Sequence, residues 1–137
     1  MRKVVFLLFI LAVASPAMAK KESLPAAQEK AAAPSQKQMS LQELKEIVKK
    51  NPQSAEAYYN LGFVYHKSGQ SKEAIPYLKK AIALDPKKPS VYTTLALAYY
   101  SLGKNQEAVP QAQKALGIDP QYVPALTTVV ILYSAVN

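Results

Sequence analysis

The side chains able to do chemistry are few and scattered. The chain of 137 residues has one histidine, His66, and no cysteine. A histidine acting as a general base needs a partner within hydrogen-bond reach to orient it. The acids nearest in kind are Glu73, across a glycine-containing turn, and Glu56, almost three helical turns back, and neither spacing makes a pair. No paired carboxylates, metal-ligand cluster or nucleophile elbow occurs, and four glycines are too few and too dispersed for a phosphate-binding loop. The residue inventory therefore points away from an enzyme, and no cofactor or metal is expected. A different pattern surrounds His66. Tyr59, Phe63 and His66 recur at spacings of four and three, which gathers them on one side of a helix, with Asn60 beside them. Exposed aromatics grouped this way make an apolar contact surface. The alternative is that they pack on an amino-terminal helix over 40–50 and only complete the core.

The elements carrying these residues are written twice. KEAIPYLKKAIALDP at 72–86 returns 34 residues later as QEAVPQAQKALGIDP at 106–120, with seven of fifteen positions identical. The same shift aligns Tyr58 with Tyr92, Leu61 with Leu95, Gly62 with Ala96, Tyr65 with Tyr99, and Gly69 with Gly103. A further step reaches Leu126, Val129, Val130 and Tyr133, and a backward step reaches Leu44, Ile47 and Pro52. A period of this length marks a stacked array. Each unit resolves into two helices. Tyr58, Leu61, Gly62 and Tyr65 form the packing stripe of the first, and Gly69 breaks it. Ser71 is expected to cap the second helix, with Glu73 in its first turn; Asn105 is expected to repeat that cap, and Asp85-Pro86 and Asp119-Pro120 end the helices. Pro76 and Pro110 are expected near the starts of their helices, among amides that lack intrahelical partners.

The chain resembles a tetratricopeptide repeat (TPR) protein over its last 98 residues or so. The family pattern runs aromatic, leucine-glycine, tyrosine, alanine, aromatic and a late proline. Tyr58, Leu61-Gly62, Tyr65, Ala74, Ala81 and Pro86 match it, with Leu78 in the place of the second aromatic; Tyr92, Leu95-Ala96, Tyr99, Ala108, Ala115 and Pro120 match it again, with Ala112 there instead. The resemblance implies an all-α helix-turn-helix solenoid: full repeats at 55–88 and 89–122, a lone second helix at 40–51 and a lone first helix at 123–136. It also implies that first helices line a groove holding a protein or peptide segment, with no chemistry. The groove positions would be Tyr59, Asn60, Phe63 and His66, then Thr93, Thr94, Leu97 and Tyr100, then Thr127, Ile131 and Ser134. Members that grip a terminal carboxylate use a lysine and asparagines where this chain has Tyr59, Phe63 and Leu97, so the expected ligand is apolar or mixed in character.

The two ends carry separate signals. MRK, an apolar run of eleven from Val4 to Ala14, and Ala17-Met18-Ala19 read as an export signal cleaved after Ala19, the alternatives being an uncleaved anchor or an amphipathic first helix. The run is shorter than the roughly 20 residues that span a bilayer. Residues 20–39 read as a flexible linker, since Leu24 and Met39 are its only large apolar side chains. Export would place the protein in the periplasm. Cleavage would leave fifteen lysines against nine acids and no arginine. Without arginine, the usual reader of phosphates and base edges, no nucleic-acid partner is expected. A peripheral scaffold held to anionic envelope surfaces is the competing use of those lysines. At the other end, eight of the eleven residues from Leu126 to Val136 are apolar or tyrosine. Leu126, Val129, Val130 and Tyr133 are expected to pack inward. Ile131, Leu132 and Val136 would then form an uncovered docking edge for another protein or a second copy, unless the end folds inward.

Overall fold

The computed structural model describes residues 39–136. The expected signal peptide at 1–19, and the linker up to residue 38, lie outside the described residues. Among the described residues six helices follow one another: α1 Leu41–Lys50, α2 Ala55–Lys67, α3 Ser71–Leu84, α4 Pro89–Ser101, α5 Asn105–Ile118 and α6 Val123–Ser134. Among the described residues there is no strand. The architecture is the expected all-α repeat solenoid.

Local chemistry starts and stops these helices. Ser40 caps α1 in a reciprocal box, its hydroxyl accepting from the Glu43 amide at 3.2 Å while Glu43 accepts from the Ser40 amide at 2.8 Å. Ser54 caps α2 by accepting from the Ala57 amide at 3.2 Å. Gly69 and Gly103 have φ of +79° and +73°, a conformation that a side chain disfavours. Each lets the chain close a paired bond at the helix end. Gln70 and Gly69 donate to the carbonyls of Tyr65 and His66, and Lys104 and Gly103 donate to those of Tyr99 and Tyr100.

Two expectations about the second helices fail. Ser71 and Asn105 are the first helical residues, and the caps are Gln70 and Lys104, which make no side-chain capping bond. The paired closure at Gly69 already sets the backbone there, and Ser71 turns inward, 4% exposed. Pro76 and Pro110 are also sixth, not first, in their helices. Each removes one helical bond, to Lys72 and Gln106 respectively. These prolines and the residues four before them are all exposed, so water can serve the orphaned carbonyls.

Consecutive helices pack side by side, and in addition α2 touches α4 and α4 touches α6, whereas α1, α3 and α5 do not touch one another. The first helices of the units therefore form an inner row and the second helices lie outside it. At the α2–α3 crossing, Gly62 faces Leu78 so closely that a Cβ on Gly62 would stand 2.8 Å from Leu78 Cγ and 3.3 Å from the Ala74 carbonyl oxygen. At the α4–α5 crossing, Ala96, Ala108 and Ala112 are all fully buried. α4 lies in the middle of the array and buries eight of its residues, against four for α2.

The expected docking edge is corrected at Leu132, whereas Ile131 is half-buried and Val136 is 64% exposed. Leu132 is 1% exposed, whereas Leu126, Val130 and Tyr133 are 44, 68 and 50% exposed. Ala125, Thr128 and Leu132 are the buried residues of α6. Ala125 and Leu132 correspond by the 34-residue shift to Val91 and Ala98, which are buried in α4. A first helix uses this face to stack on the unit before it. The 126–130–133 face is the one that α2 and α4 turn toward their own second helices.

Candidate functional site: the inner row of first helices

The inner row brings together most of the residues expected to contact a ligand. On α2, Tyr59 and Phe63 stack obliquely, with ring centroids 5.9 Å apart and planes tilted by 41°. Phe63 is 40% exposed, and Tyr59, Asn60 and His66 are half-buried. Tyr59 and, on α4, Tyr100 rest one side of their rings on the core. Leu97 and Ile131 are half-buried, and Thr127 and Ser134 are exposed.

Thr93 and Thr94 do not belong to the accessible surface, being 4 and 6% exposed. Their hydroxyls donate to the carbonyls of Pro89 and Ser90, each at 2.9 Å, one turn back on the same helix. The physical reason is the position of α4, flanked on both sides by first helices. Tyr122, absent from the expected set, is half-buried. Its phenol is pushed above the usual range first by burial, then by the neighbouring Tyr59 phenol and the Asp119 carboxylate. Tyr122 packs against the cluster of Tyr92, Ala115 and Ala125, within electrostatic reach of Tyr59. The sequence signal was only an aromatic at the last position of a unit, where the family pattern is silent.

His66 has a structural partner and no carboxylate. Its Nδ1 lies 2.9 Å from Ser71 Oγ, which lies 2.7 Å from Ser101 Oγ. Ser101 is also 2.9 Å from the Ala98 carbonyl oxygen. Each hydroxyl has one proton, so the chain of bonds has two directions. With Nδ1 unprotonated, Ser101 donates to Ser71 and Ser71 to His66; with Nδ1 protonated, His66 donates to Ser71, Ser71 to Ser101, and Ser101 to the carbonyl. Burial, then the nearby Lys67, holds the His66 pKa below its ordinary value. Ser71 is too buried to meet a substrate, so the relay ties α2, α3 and α4 together. Among the described residues, no group of three His, Asp or Glu side chains is placed to hold a metal.

Family models for tetratricopeptide repeats match residues 55–88 and 89–122, and a TPR repeat model matches residues 39–69. The chain is a tetratricopeptide repeat protein. The crystal structure of MamA is 32% identical with a TM-score of 0.65, the match covering 69% of this chain and 56% of that one. TTC0263, a thermophilic TPR protein in Thermus thermophilus, is 31% identical with a TM-score of 0.61, over 68% of this chain and 47% of that one. This tetratricopeptide chain thus spans about half the length of both. The second TPR domain of human RPAP3, solved by NMR with the HSP70 peptide SGPTIEEVD, shares the fold at a TM-score of 0.65 and 22% identity, over 68% of this chain and 78% of that one. A comparison with curated protein sequences finds no match.

Proposed function

We propose that this tetratricopeptide protein is an exported adaptor or assembly factor of the cell envelope, periplasmic in location, that binds an apolar or mixed protein segment along its inner row of helices. The general part of this reading, a protein-interaction module, follows from the repeats themselves. The Tyr59–Phe63 pair carries the specific part: two adjacent aromatic rings, Phe63 exposed and Tyr59 half-buried, on a row that offers Leu97 and Tyr100 further along. Aromatic rings anchor partners at a low entropic cost, because they have few rotatable bonds. The RPAP3 domain of the same fold holds a peptide. The export signal read at 1–19 supports the envelope location.

Affinity capture from an envelope extract tests the reading, with the tagged protein compared with a Tyr59→Ala, Phe63→Ala double variant that keeps its helical spectrum. A partner held by the first and lost by the second is the expected result. Equal capture by both would remove the groove from consideration. The excess of lysine favours a second reading, a basic scaffold on an anionic surface. Salt separates the two, since exposed charges are screened beyond about 8 Å at physiological ionic strength and apolar contacts are not.

A further inference from the structure

The hydrogen-bond relay at His66 ends on a carbonyl, and that end fixes its direction. A carbonyl only accepts, so the 2.9 Å contact between Ser101 Oγ and the Ala98 oxygen uses the Ser101 proton. Ala98 is fully buried, and the Leu102 amide, which the helical pattern would aim at its carbonyl, donates to Tyr99 instead at 3.1 Å. The Ser101 hydroxyl is therefore the donor that keeps this buried carbonyl satisfied. With its proton committed, Ser101 can only accept from Ser71 at 2.7 Å, and Ser71 can only accept from His66 at 2.9 Å. We infer that His66 carries its proton on Nδ1 and offers the lone pair of Nε2 as a hydrogen-bond acceptor to an N–H or O–H donor of the segment bound on the inner row.

The opposite direction would leave Ser101 Oγ and the Ala98 oxygen 2.9 Å apart with no proton between them. Of the two neutral forms of the ring, only the Nδ1–H form fills all three contacts. Nε2 makes no hydrogen bond among the described residues and is not buried. His66 follows Phe63 at a spacing of three, on the same side of α2 as the aromatic pair. Burial and the nearby Lys67 hold the ring neutral, so a carboxylate, which would need it protonated, fits poorly, and an amide or hydroxyl donor fits well. In the next unit the places of His66, Ser71 and Ser101 are taken by Tyr100, Asn105 and Ala135. The acceptor thus occurs once along the row and sets the register in which a segment lies there. The tautomer stands on the relay alone, whereas the donor opposite it rests on the inner-row reading.

Because the chain has one histidine, labelling that residue with a nitrogen isotope gives a single imidazole to observe. At about pH 8 the ring is neutral, and nitrogen–proton correlation NMR of the full chain reads which nitrogen is protonated. The expected result is a proton on Nδ1. Ser101→Ala leaves Ser71 with Nδ1 as its one remaining partner, so the ring proton should move to Nε2 and the two nitrogen signals should exchange ranges. Ser101→Thr keeps a hydroxyl and should keep the native pattern. Indole and N-methylindole then probe the acceptor, since they differ by one N–H donor. Indole should shift the Nε2 signal toward the protonated range and N-methylindole should not, while both move the ring signals of Tyr59 and Phe63. A proton on Nε2 in the native chain, a Ser101→Ala variant with its tautomer unchanged, or an Nε2 signal that answers both probes alike or neither, overturns the inference. Ring signals that stay still with both probes would count against the groove reading, whatever the tautomer.

Discussion

The two full repeats solve the same crossing with different residues. In 55–88 the first helix contributes Gly62 and the second Leu78; in 89–122 they contribute Ala96 and Ala112. All four are buried. The space left open by glycine is filled by leucine from the other side, and where alanine intrudes, alanine answers. What the repeat maintains is the volume of the pair, so neither residue's size can be judged alone. A second correspondence runs through all three units. Lys45 Nζ lies 5.7 Å from the Tyr65 ring centroid and Lys79 Nζ 6.0 Å from that of Tyr99, one unit further. The next step replaces lysine by Gln113, whose Nε2 is 3.4 Å from the Tyr133 hydroxyl. Each second helix thus reaches over the tyrosine of the following first helix by whichever polar contact its residue allows.

The crossing can be broken from either side. Leu78→Ala should have the largest effect, about 2–5 kcal/mol of lost stability in denaturant unfolding, because Gly62 has no side chain with which to fill the cavity. Gly62→Leu should cost roughly 1–3 kcal/mol or more by overpacking; an unchanged melting midpoint would contradict the assigned packing. The Gly62→Ala, Leu78→Ala pair rebuilds the second unit's crossing in the first. It should be more stable than the sum of its single changes, with a coupling of about 0.5–3 kcal/mol in a double-mutant cycle.

Helix starts sharpen the same comparison at smaller scale. α2 is capped by the Ser54 hydroxyl, whereas α4 begins with Pro89 after an uncapped Lys88. Ser54→Ala should cost about 1 kcal/mol, and Lys88→Ala should leave the unfolding midpoint nearly unchanged. The smallest effect is expected from the link between the units. The His66 pKa is lowered by folding from its ordinary value of 6.5, so below that value the unfolded chain takes up the proton first. Stability from this group is full above the unfolded pKa and declines as pH falls toward the lowered folded one. Melting midpoints measured across that window should drop more for the native chain than for His66→Gln.

Most of the fold was legible because its signals are local. The 34-residue period and Gly69 and Gly103 at the turns could be read in this way, whereas the caps at Ser40 and Ser54, though as local, were not anticipated. The candidate site was legible only in part. Tyr59 and Phe63 could be placed on one face from their spacing, but Thr93, in the position equivalent to Tyr59, is buried by neighbours that spacing does not describe. Ser71 was expected as a cap because serine caps helices; its actual partners include Ser101, thirty residues away.

α6 shows the boundary most clearly. Its apolar character and its helical form can be read from residues 123–134 alone. Which side it buries cannot, because nearly every side is apolar and the hydrophobic effect has no direction of its own. The choice of Ala125, Thr128 and Leu132 as the inner face, leaving Leu126, Val130 and Tyr133 outside, is set by α4 and α5, which present one surface for the next helix to cover. Residue order carries the period and the turns, which are short-range; packing of helices distant in the chain assigns the faces, because only neighbours in space can remove a side chain from water.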